Sequence, residues 1–277
     1  MSSGTADPDD DVVLRCAEAG VPVLIGAGRA LRAISAYAAW KPRGRTVPAD
    51  IAPDALARTR ARLARDGAMS EVDSKAALAP YGLTTPREQV AATPDEAASI
   101  AASIGYPVVV KAHGPAHKER VGGVHLGCAT EERVREVARR HGGPVLVADD
   151  IRGGTEVMCG AVRDQTFGPV VVCGVGGGWA EAMSESVQGA LAPLSHADAE
   201  ELVRACVPLA RRLSPEGVAG VAAVLASLGQ VMTQHPEISE IDVNPLLVDS
   251  ERAVALDALI VVDRKTDESP VPATSER

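Results

Sequence analysis

Hydrophobic residues along the chain form short unbroken runs, separated by stretches in which apolar and polar positions mix. The run Pro-Val-Val-Val-Lys at 107–111 is typical of a fully buried strand, and residues 144–148 predict another. Two strand-like segments between 155 and 173 are joined by a turn at 163–168. Further strands are predicted over 238–248 and 253–262. Most of these strands lie in the second half of the chain.

Helices are predicted between the strands by their capping signals. Ser70-Glu-Val-Asp73 has the spacing of a capping box and opens a helix that runs through Leu78. Thr93 is followed by a proline and two acidic residues, which predicts a second helix, and Gly105 ends it. The remaining predicted helices cover 131–140, 196–213 with a kink at Pro208, and 216–234.

The order of these elements predicts the fold class. Strands interleaved with helices and followed by paired strands indicate an α/β or α+β sandwich. Residues 12–40 form a separate short α/β piece, with an apolar strand at 21–25 between two helices, which is too small to bury a core alone. The stretch 41–53 is rich in proline, arginine and glycine and is interpreted as a linker. Residues 264–277 are polar and are predicted to be a disordered tail.

Composition and charge narrow the classes of function. The chain has 277 residues, of which 46% are hydrophobic and 23% charged, and its net charge is −9. An acidic chain without a basic stripe is a poor candidate for binding nucleic acid. Residues 1–11 lack the features of a secretory signal. The apolar stretch 217–232 is too short and too interrupted by glycine to span a bilayer, so we expect a soluble, cytoplasmic protein.

The five cysteines show neither CxxC spacing nor an even count. This pattern predicts reduced thiols that are mostly buried as small hydrophobic side chains, as in a cytosolic protein. The residues in question are Cys16, Cys128, Cys159, Cys173 and Cys206.

The first candidate for chemistry is the loop that follows the strand ending at Lys111. Two histidines, two lysines, an arginine and a pair of glycines lie within residues 111–124. Glycines allow a close approach of the backbone to an anion, and a neutral imidazole can accept a phosphoryl group. From the residues alone, a lysine at a strand end is usually a solvated terminus, and a polar loop with incidental histidines is also an open interpretation. The sequence matches neither a Walker A motif nor a dinucleotide fingerprint.

Two further segments carry candidate residues. One is the glycine-rich run Gly-Val-Gly-Gly-Gly at 174–178. The other is Glu-Ile-Asp-Val-Asn-Pro, which ends in Asn244-Pro245 and is followed by Asp257. On adjacent antiparallel strands, Asn244 and Asp257 would supply two oxygen ligands for Mg²⁺, which prefers one or two protein oxygens together with substrate phosphates. Each segment alone is weak evidence.

Together and in this order, the motifs resemble the ATP-grasp domain of ADP-forming acyl-CoA synthetases, relatives of the succinyl-CoA ligase β chain. The resemblance covers residues 69–263. It rests on Ile-Gly-Tyr-Pro-Val-Val-Val-Lys111, His117-Lys118 with Val-Gly-Gly-Val, Gly-Gly-Thr-Glu156, Leu-Ala-Pro-Leu and Glu-Ile-Asp-Val-Asn244-Pro with Ala-Leu-Asp257. Residues 1–45 resemble the end of a ligase domain that precedes the ATP-grasp unit in fused members, and 46–68 would be a linker and a helix.

The resemblance implies an ATP-grasp fold of two lobes that binds ATP and Mg²⁺ between them. It also implies that the chain is an ADP-forming acid–CoA ligase subunit, with CoA held by an α-type partner and a small carboxylic acid or acyl-CoA as substrate. The implied roles are a phosphoryl-carrying histidine at His117, contacts to ATP from Lys111, Gly122, Gly123, Val147, Asp149 and Glu156, and metal ligation by Asn244 and Asp257.

Three positions depart from the family's pattern. Arg120 stands where an acid usually precedes Val-Gly-Gly, Ala190 replaces an arginine, and Ser186 replaces an acid. A glycine-rich CoA-binding fingerprint is also absent from the 277 residues. We therefore expect a separate CoA-binding chain.

Two other functions remain open at this point. One is a free-standing ATP-grasp ligase that couples a carboxylate to an amine through an acyl phosphate. The other is a non-catalytic nucleotide-binding chain. Of the histidines outside the glycine-rich loop, we expect surface roles for His125, His141, His196 and His235.

Overall fold

A computed structural model describes residues 10–19, 23, 27–39, 53–114, 123–177 and 187–264. The chain divides into two compact units, Met1–Thr46 and Val47–Arg277. The described part of the first unit contains two helices, α1 (Asp10–Glu18) and α2 (Ala27–Ala39). The strand predicted at 21–25, apart from residue 23, and the predicted tail from residue 265 onwards lie outside the described residues.

The second unit contains two antiparallel sheets with helices on them. Its elements in chain order are α3 (Pro53–Arg62), β1 (Gly67–Ala68), α4 (Glu71–Leu78), a 3-10 turn (Ala79–Tyr81), β2 (Glu88–Ala91), α5 (Pro94–Ile104), β3 (Val108–Ala112), β4 (Val124–Cys128), α6 (Glu131–His141), β5 (Val145–Asp149), β6 (Thr155–Asp164), β7 (Gly168–Val175), β8 (Gln188–Leu191), α7 (His196–Ala205), α8 (Val207–Ala210), α9 (Pro215–Gln234), β9 (Ile238–Val248), β10 (Ala253–Ala255) and β11 (Leu259–Val262).

The smaller sheet has the strand order β2-β5-β3-β4. Its strands alternate their side chains between the two faces, so that Val108, Val110, Val145 and Val147 are buried in one apolar cluster with residues of α5 and α6. Both helices begin at capping threonines, since the Thr93 hydroxyl accepts from Glu96 N and the Thr130 hydroxyl from Arg133 N. The opposite face of this sheet, which includes Val109 and Lys111, is left to line a cavity.

The larger sheet has the strand order β1-β11-β9-β6-β7-β8, with β10 paired to β9. Residues of α7 and α9 pack with one face of it in the main core. By length and composition the 20-residue helix α9 could cross a membrane, contrary to the sequence expectation that this stretch is too short. In this structure α9 is a core helix, and its buried face, which includes Val221, Leu225 and Leu228, packs on the sheet.

Most predicted elements are found, with three differences. The helix predicted over 196–213 ends at Ala205, because a separate short helix with Pro208 in its first turn follows Cys206. The strand predicted over 253–262 is two strands, so Asp257 lies in the loop between them. Among the described residues, four strands were not predicted, namely β1, β2, β4 and β8.

One histidine was assigned wrongly. His235 is fully buried, not at the surface, because it follows α9 where that helix meets Tyr81. Its Nε2 lies 2.8 Å from Tyr81 Oη, which donates a hydrogen bond to Gln234 Oε1. His196 is exposed as expected, while His125 and His141 are half-buried and their rings meet edge to face.

The predicted state of the cysteines is confirmed. All five thiols are free, four of them are buried, and Cys16 is half-buried. Burial raises the pKa of Cys173 to about 12 and that of Cys159 well above its usual value, so these thiols stay protonated at neutral pH.

Candidate nucleotide site

A cavity of about 530 Å³ lies between the two sheets of the second unit. The smaller sheet supplies Val109 and Lys111, and the larger sheet supplies Glu156 from β6. The loop between β10 and β11 supplies Asp257. Its volume falls within the range of small-molecule sites. Four residues predicted from the sequence therefore meet here, namely Lys111, Asp149, Glu156 and Asp257.

Lys111 reaches the cavity from the end of β3. Its Nζ donates to Glu71 Oε1 at 2.8 Å and to the Leu256 carbonyl at 2.7 Å. Its side chain is 14% exposed, so the ammonium group is mostly shielded but still reaches the cavity. Among the described residues, these two bonds use two of the three donors of the ammonium group. The third donor is available to an anion.

A second lysine lies behind Lys111. Lys75 Nζ donates to Glu71 Oε1 at 2.7 Å, to Glu88 Oε2 at 2.8 Å and to the Leu256 carbonyl at 2.8 Å. Its side chain is only 2% exposed. Two lysines and two glutamates thus form a buried cluster without net charge, as expected for charges removed from water.

The two carboxyl groups of this cluster have opposite pKa shifts. Burial acts to raise the pKa of Glu71, but the ammonium groups of Lys111 and Lys75 outweigh it and hold that pKa below its usual value. Burial raises the pKa of Glu88, and Lys75 compensates only in part. Glu71, which accepts hydrogen bonds from both lysines, is therefore held in its ionised form.

The sequence analysis did not identify Glu71, Lys75 or Glu88 as site residues. One local signal was present, because Glu71 and Lys75 are four residues apart on α4 and so share a helix face. The link to Leu256, which follows Lys75 by 181 residues, depends on the tertiary fold.

Asn244 and Asp257 are brought near each other by the backbone. Leu256 N donates to the Pro245 carbonyl at 2.9 Å, which joins the residue after Asn244 to the residue before Asp257. Asn244 Oδ1 accepts a hydrogen bond from Gly177 N at 3.0 Å and retains a second lone pair. Asn244 itself does not line the cavity, whereas Pro245 does.

The glycine-rich segment after β7 packs directly on Glu156. Gly176 N donates to the Glu156 carbonyl at 3.0 Å. Gly177 has a φ of +66°, and a Cβ atom there would lie 1.6 Å from Glu156 Oε2. Glycine is therefore required at this position both by the backbone and by the carboxylate.

Asp149 and Val147 have different surroundings on β5. The Asp149 carboxylate lines the cavity but is bound by the Arg87 guanidinium, with Nη2 2.8 Å from Oδ1 and Nε 3.0 Å from Oδ2. The Val147 side chain points away from the cavity into the cluster under α5 and α6. The role predicted for Val147 concerns its backbone, which here lies between β2 and β3.

Several other predicted positions lie beside or outside the described site. The Gly123 carbonyl accepts from Ala112 N at 2.9 Å and so extends the pairing of β3 with β4. His117 and Gly122 lie outside the described residues, as do Arg120 and Ser186. Ala190 packs against the main core from β8, where its small apolar side chain fits.

The donor set suits Mg²⁺ with a nucleotide. Among the described residues, no group of three or more His, Cys, Asp or Glu side chains could hold a metal ion alone. One carboxylate and one amide oxygen beside a lysine match instead an ion that takes most of its ligands from water and phosphate. The residues present therefore fit a Mg²⁺–nucleotide complex.

Comparison with known proteins agrees with this geometry. The model of the ATP-grasp domain matches residues 60–262. The chain belongs to the ATP-grasp family. The predicted ATP-grasp fold is thereby confirmed. The relatives described next confirm the predicted resemblance to ADP-forming acyl-CoA ligases.

Two curated relatives define the subgroup. The chain is 33% identical over 211 residues to the β subunit of ADP-forming acetate–CoA ligase I from Pyrococcus furiosus, covering 69% of this chain and 90% of that one. It is 35% identical over 215 residues to ADP-forming acetate–CoA ligase II from Archaeoglobus fulgidus, covering 73% of this chain but only 32% of that longer protein. This ATP-grasp chain thus spans nearly all of the Pyrococcus β subunit and about a third of the longer Archaeoglobus ligase.

A solved structure has the same fold. It is acetyl-coenzyme A synthetase 1 of Ca. Korarchaeum cryptofilum in complex with coenzyme A and acetyl-coenzyme A, with a phosphorylated phosphohistidine segment. The superposition has a TM-score of 0.64 at 27% identity and covers 76% of this chain and 98% of that chain.

Proposed function

We propose that this ATP-grasp chain is the nucleotide-binding, β-type subunit of an ADP-forming acyl-CoA ligase that works in the cytoplasm with a CoA-binding α-type partner. The observation that supports this most strongly is the cavity in which Lys111, Glu156 and Asp257 meet. Its relatives include a β subunit of which this chain covers 90%.

The residues of the cavity have distinct roles in this proposal. Lys111 offers its remaining donor to the phosphates of ATP, and the burial of its stem strengthens that interaction. Asp257 and Asn244 would hold Mg²⁺, which when bound neutralises phosphate charge. Glu156, fixed by Gly177, borders the nucleotide.

The proposed reaction proceeds through His117. The γ-phosphoryl group of ATP passes to an imidazole nitrogen, which leaves ADP and a phosphohistidine. The phosphoryl group then passes to a carboxylate to give an acyl phosphate, and the CoA thiol displaces phosphate from it. The α-type partner would hold CoA and the acid. The phosphohistidine segment in the Korarchaeum relative supports this assignment.

Nucleotide products test the proposal. Purified chain is incubated with Mg·ATP and a panel of carboxylic acids, with and without CoA and a CoA-binding α-type subunit, and ADP and AMP are measured separately. We expect ADP and phosphate, with turnover that requires both CoA and the α-type subunit. AMP as the main product would contradict the proposal. ADP formation by the chain alone with an amine acceptor would favour a free-standing ligase.

A further inference from the structure

The buried Lys75 makes no contact with the cavity, yet it binds the same two atoms as Lys111. Glu71 Oε1 accepts from Lys75 Nζ at 2.7 Å and from Lys111 Nζ at 2.8 Å. The Leu256 carbonyl accepts from the same two ammonium groups at 2.8 Å and 2.7 Å. Each acceptor that orients Lys111 is therefore itself held in place by Lys75.

The two lysines differ in what they have left to bind. Lys75 donates to three acceptors, Glu71, Glu88 and Leu256, which uses all three of its N–H groups. Lys75 is 2% exposed, so it is closed to a ligand. Lys111 is more exposed, lines the cavity and keeps one donor within the described residues. Lys111 is therefore placed to bind a ligand, and Lys75 is placed to hold the acceptors that orient Lys111.

The cluster also joins separate parts of the second unit. Glu88 and Lys111 belong to the smaller sheet, Lys75 and Glu71 to α4, and Leu256 to the loop of the larger sheet that carries Asp257. Leu256 is fixed a second time, because its N–H donates to the Pro245 carbonyl. A shift of Lys75 would therefore move both the lysine and the carboxylate that face the cavity.

From these contacts we infer that Lys75 is a positioning residue for the nucleotide site, which acts through Glu71 and Leu256 to aim Lys111 at the phosphates. This inference rests on the proposed function. It assigns to Lys75 an effect on phosphate binding rather than on the fold alone. Positioned groups gain their effect from being held in place before the ligand arrives.

The test measures binding of Mg·ATP and of adenosine, which has no phosphate, by titration calorimetry. Lys75→Met is the direct variant. Lys75→Met with Glu88→Gln is the second, since it removes one positive and one negative charge and keeps the buried cluster neutral. Arg163→Met is the matched control. Arg163 also donates to backbone carbonyls, those of Ile238 and Met232, but it does not line the cavity.

We expect the charge-balanced variant to weaken ATP binding by about tenfold or more, the effect of losing one well-placed charged hydrogen bond. Adenosine binding should stay within about twofold, and Arg163→Met should lower the melting temperature without changing either affinity. Adding the Lys75 change to Lys111→Met should weaken ATP binding no further, because Lys75 acts through Lys111.

Three results would overturn the inference. The first is ATP binding within about twofold of wild type in the charge-balanced variant. The second is an equal loss for ATP and adenosine, or an equal loss in Arg163→Met, which would indicate general destabilisation. The third is a full further loss on the Lys111→Met background. A wild-type chain that binds no ATP would instead contradict the proposed function, and this inference with it.

Discussion

The side-chain oxygen of Asn244 accepts a hydrogen bond from the backbone N–H of Gly177 at 3.0 Å. This bond joins the strand that carries one predicted metal ligand to the glycine-rich segment that packs on Glu156. One backbone amide therefore links the proposed metal ligand Asn244 to the segment that packs on Glu156.

Asp257→Ala should remove most of the stabilisation that Mg·ATP gives to the protein. A ligand at 100 times its Kd adds about 2.7 kcal/mol to the free energy of unfolding, and this gain shrinks as the affinity falls. The melting temperature with and without Mg·ATP measures it. Glu240→Ala is the control, since Glu240 is an exposed carboxylate on the same strand as Asn244. An unchanged shift in Asp257→Ala would contradict the proposed metal site.

Gly177→Ala should cost more stability than Gly168→Ala. Both glycines have positive φ, +66° and +77°, so alanine strains the backbone by about 1–2 kcal/mol at either position. Only at Gly177 would the new Cβ also displace Glu156, because nothing lies within 4 Å of a Cβ at Gly168. We expect weaker ATP binding for Gly177→Ala alone, measured by calorimetry. Equal losses of stability and of ATP affinity in the two variants would show that the contact with Glu156 is unimportant.

His235 should make the protein less stable as the pH falls. Burial lowers the pKa of His235, and Glu237 opposes this only in part. The unfolded state therefore binds a proton below about pH 6.5, before the folded state does, so the free energy of unfolding falls as the pH drops from there towards the folded pKa. Above about pH 6.5, the stabilisation that comes from keeping His235 neutral is fully present.

Urea unfolding at about pH 8 and about pH 5.5 measures this effect. His235→Gln should lose less stability between the two pH values than wild type does, although it is less stable at both. His196→Gln, which changes an exposed histidine, should keep the wild-type pH dependence. If His235→Gln keeps it as well, the buried imidazole is not its source.

The sequence alone was sufficient to predict features that depend on residues close together in the chain. Ser70 and Thr93 accept hydrogen bonds from residues three positions later, so the starts of α4 and α5 could be predicted from short segments. Lys111 and Asp257 could be proposed because each stands in a short motif of a known family.

The parts that were missed depend on contacts between distant residues. The burial of Lys75 follows from Glu88 and Leu256, which approach it only in the folded chain. His235 is buried because Tyr81, 154 residues earlier, meets it at the end of α9. The hydrophobic pattern contains no information about such pairs, since a lysine or histidine is expected at the surface until its partners are known.

The transfer of phosphate to His117 is the central claim of the proposed function. His113 provides a matched control, because it belongs to the same histidine-containing sequence but directly follows β3. Its backbone N–H donates to the carbonyl of Pro144, the residue before β5. A histidine that carries a phosphoryl group between two sites has to reach both of them. We therefore expect His117, rather than His113, to carry it.

Labelling with γ-³²P-ATP and Mg²⁺ measures this transfer most directly. Wild type and His113→Ala should acquire a label that is labile in acid and stable in base, whereas His117→Ala should acquire none and still bind ATP. Labelling of His117→Ala to the wild-type level, or ATP-dependent formation of acyl-CoA by a wild type that never becomes labelled, would contradict the account.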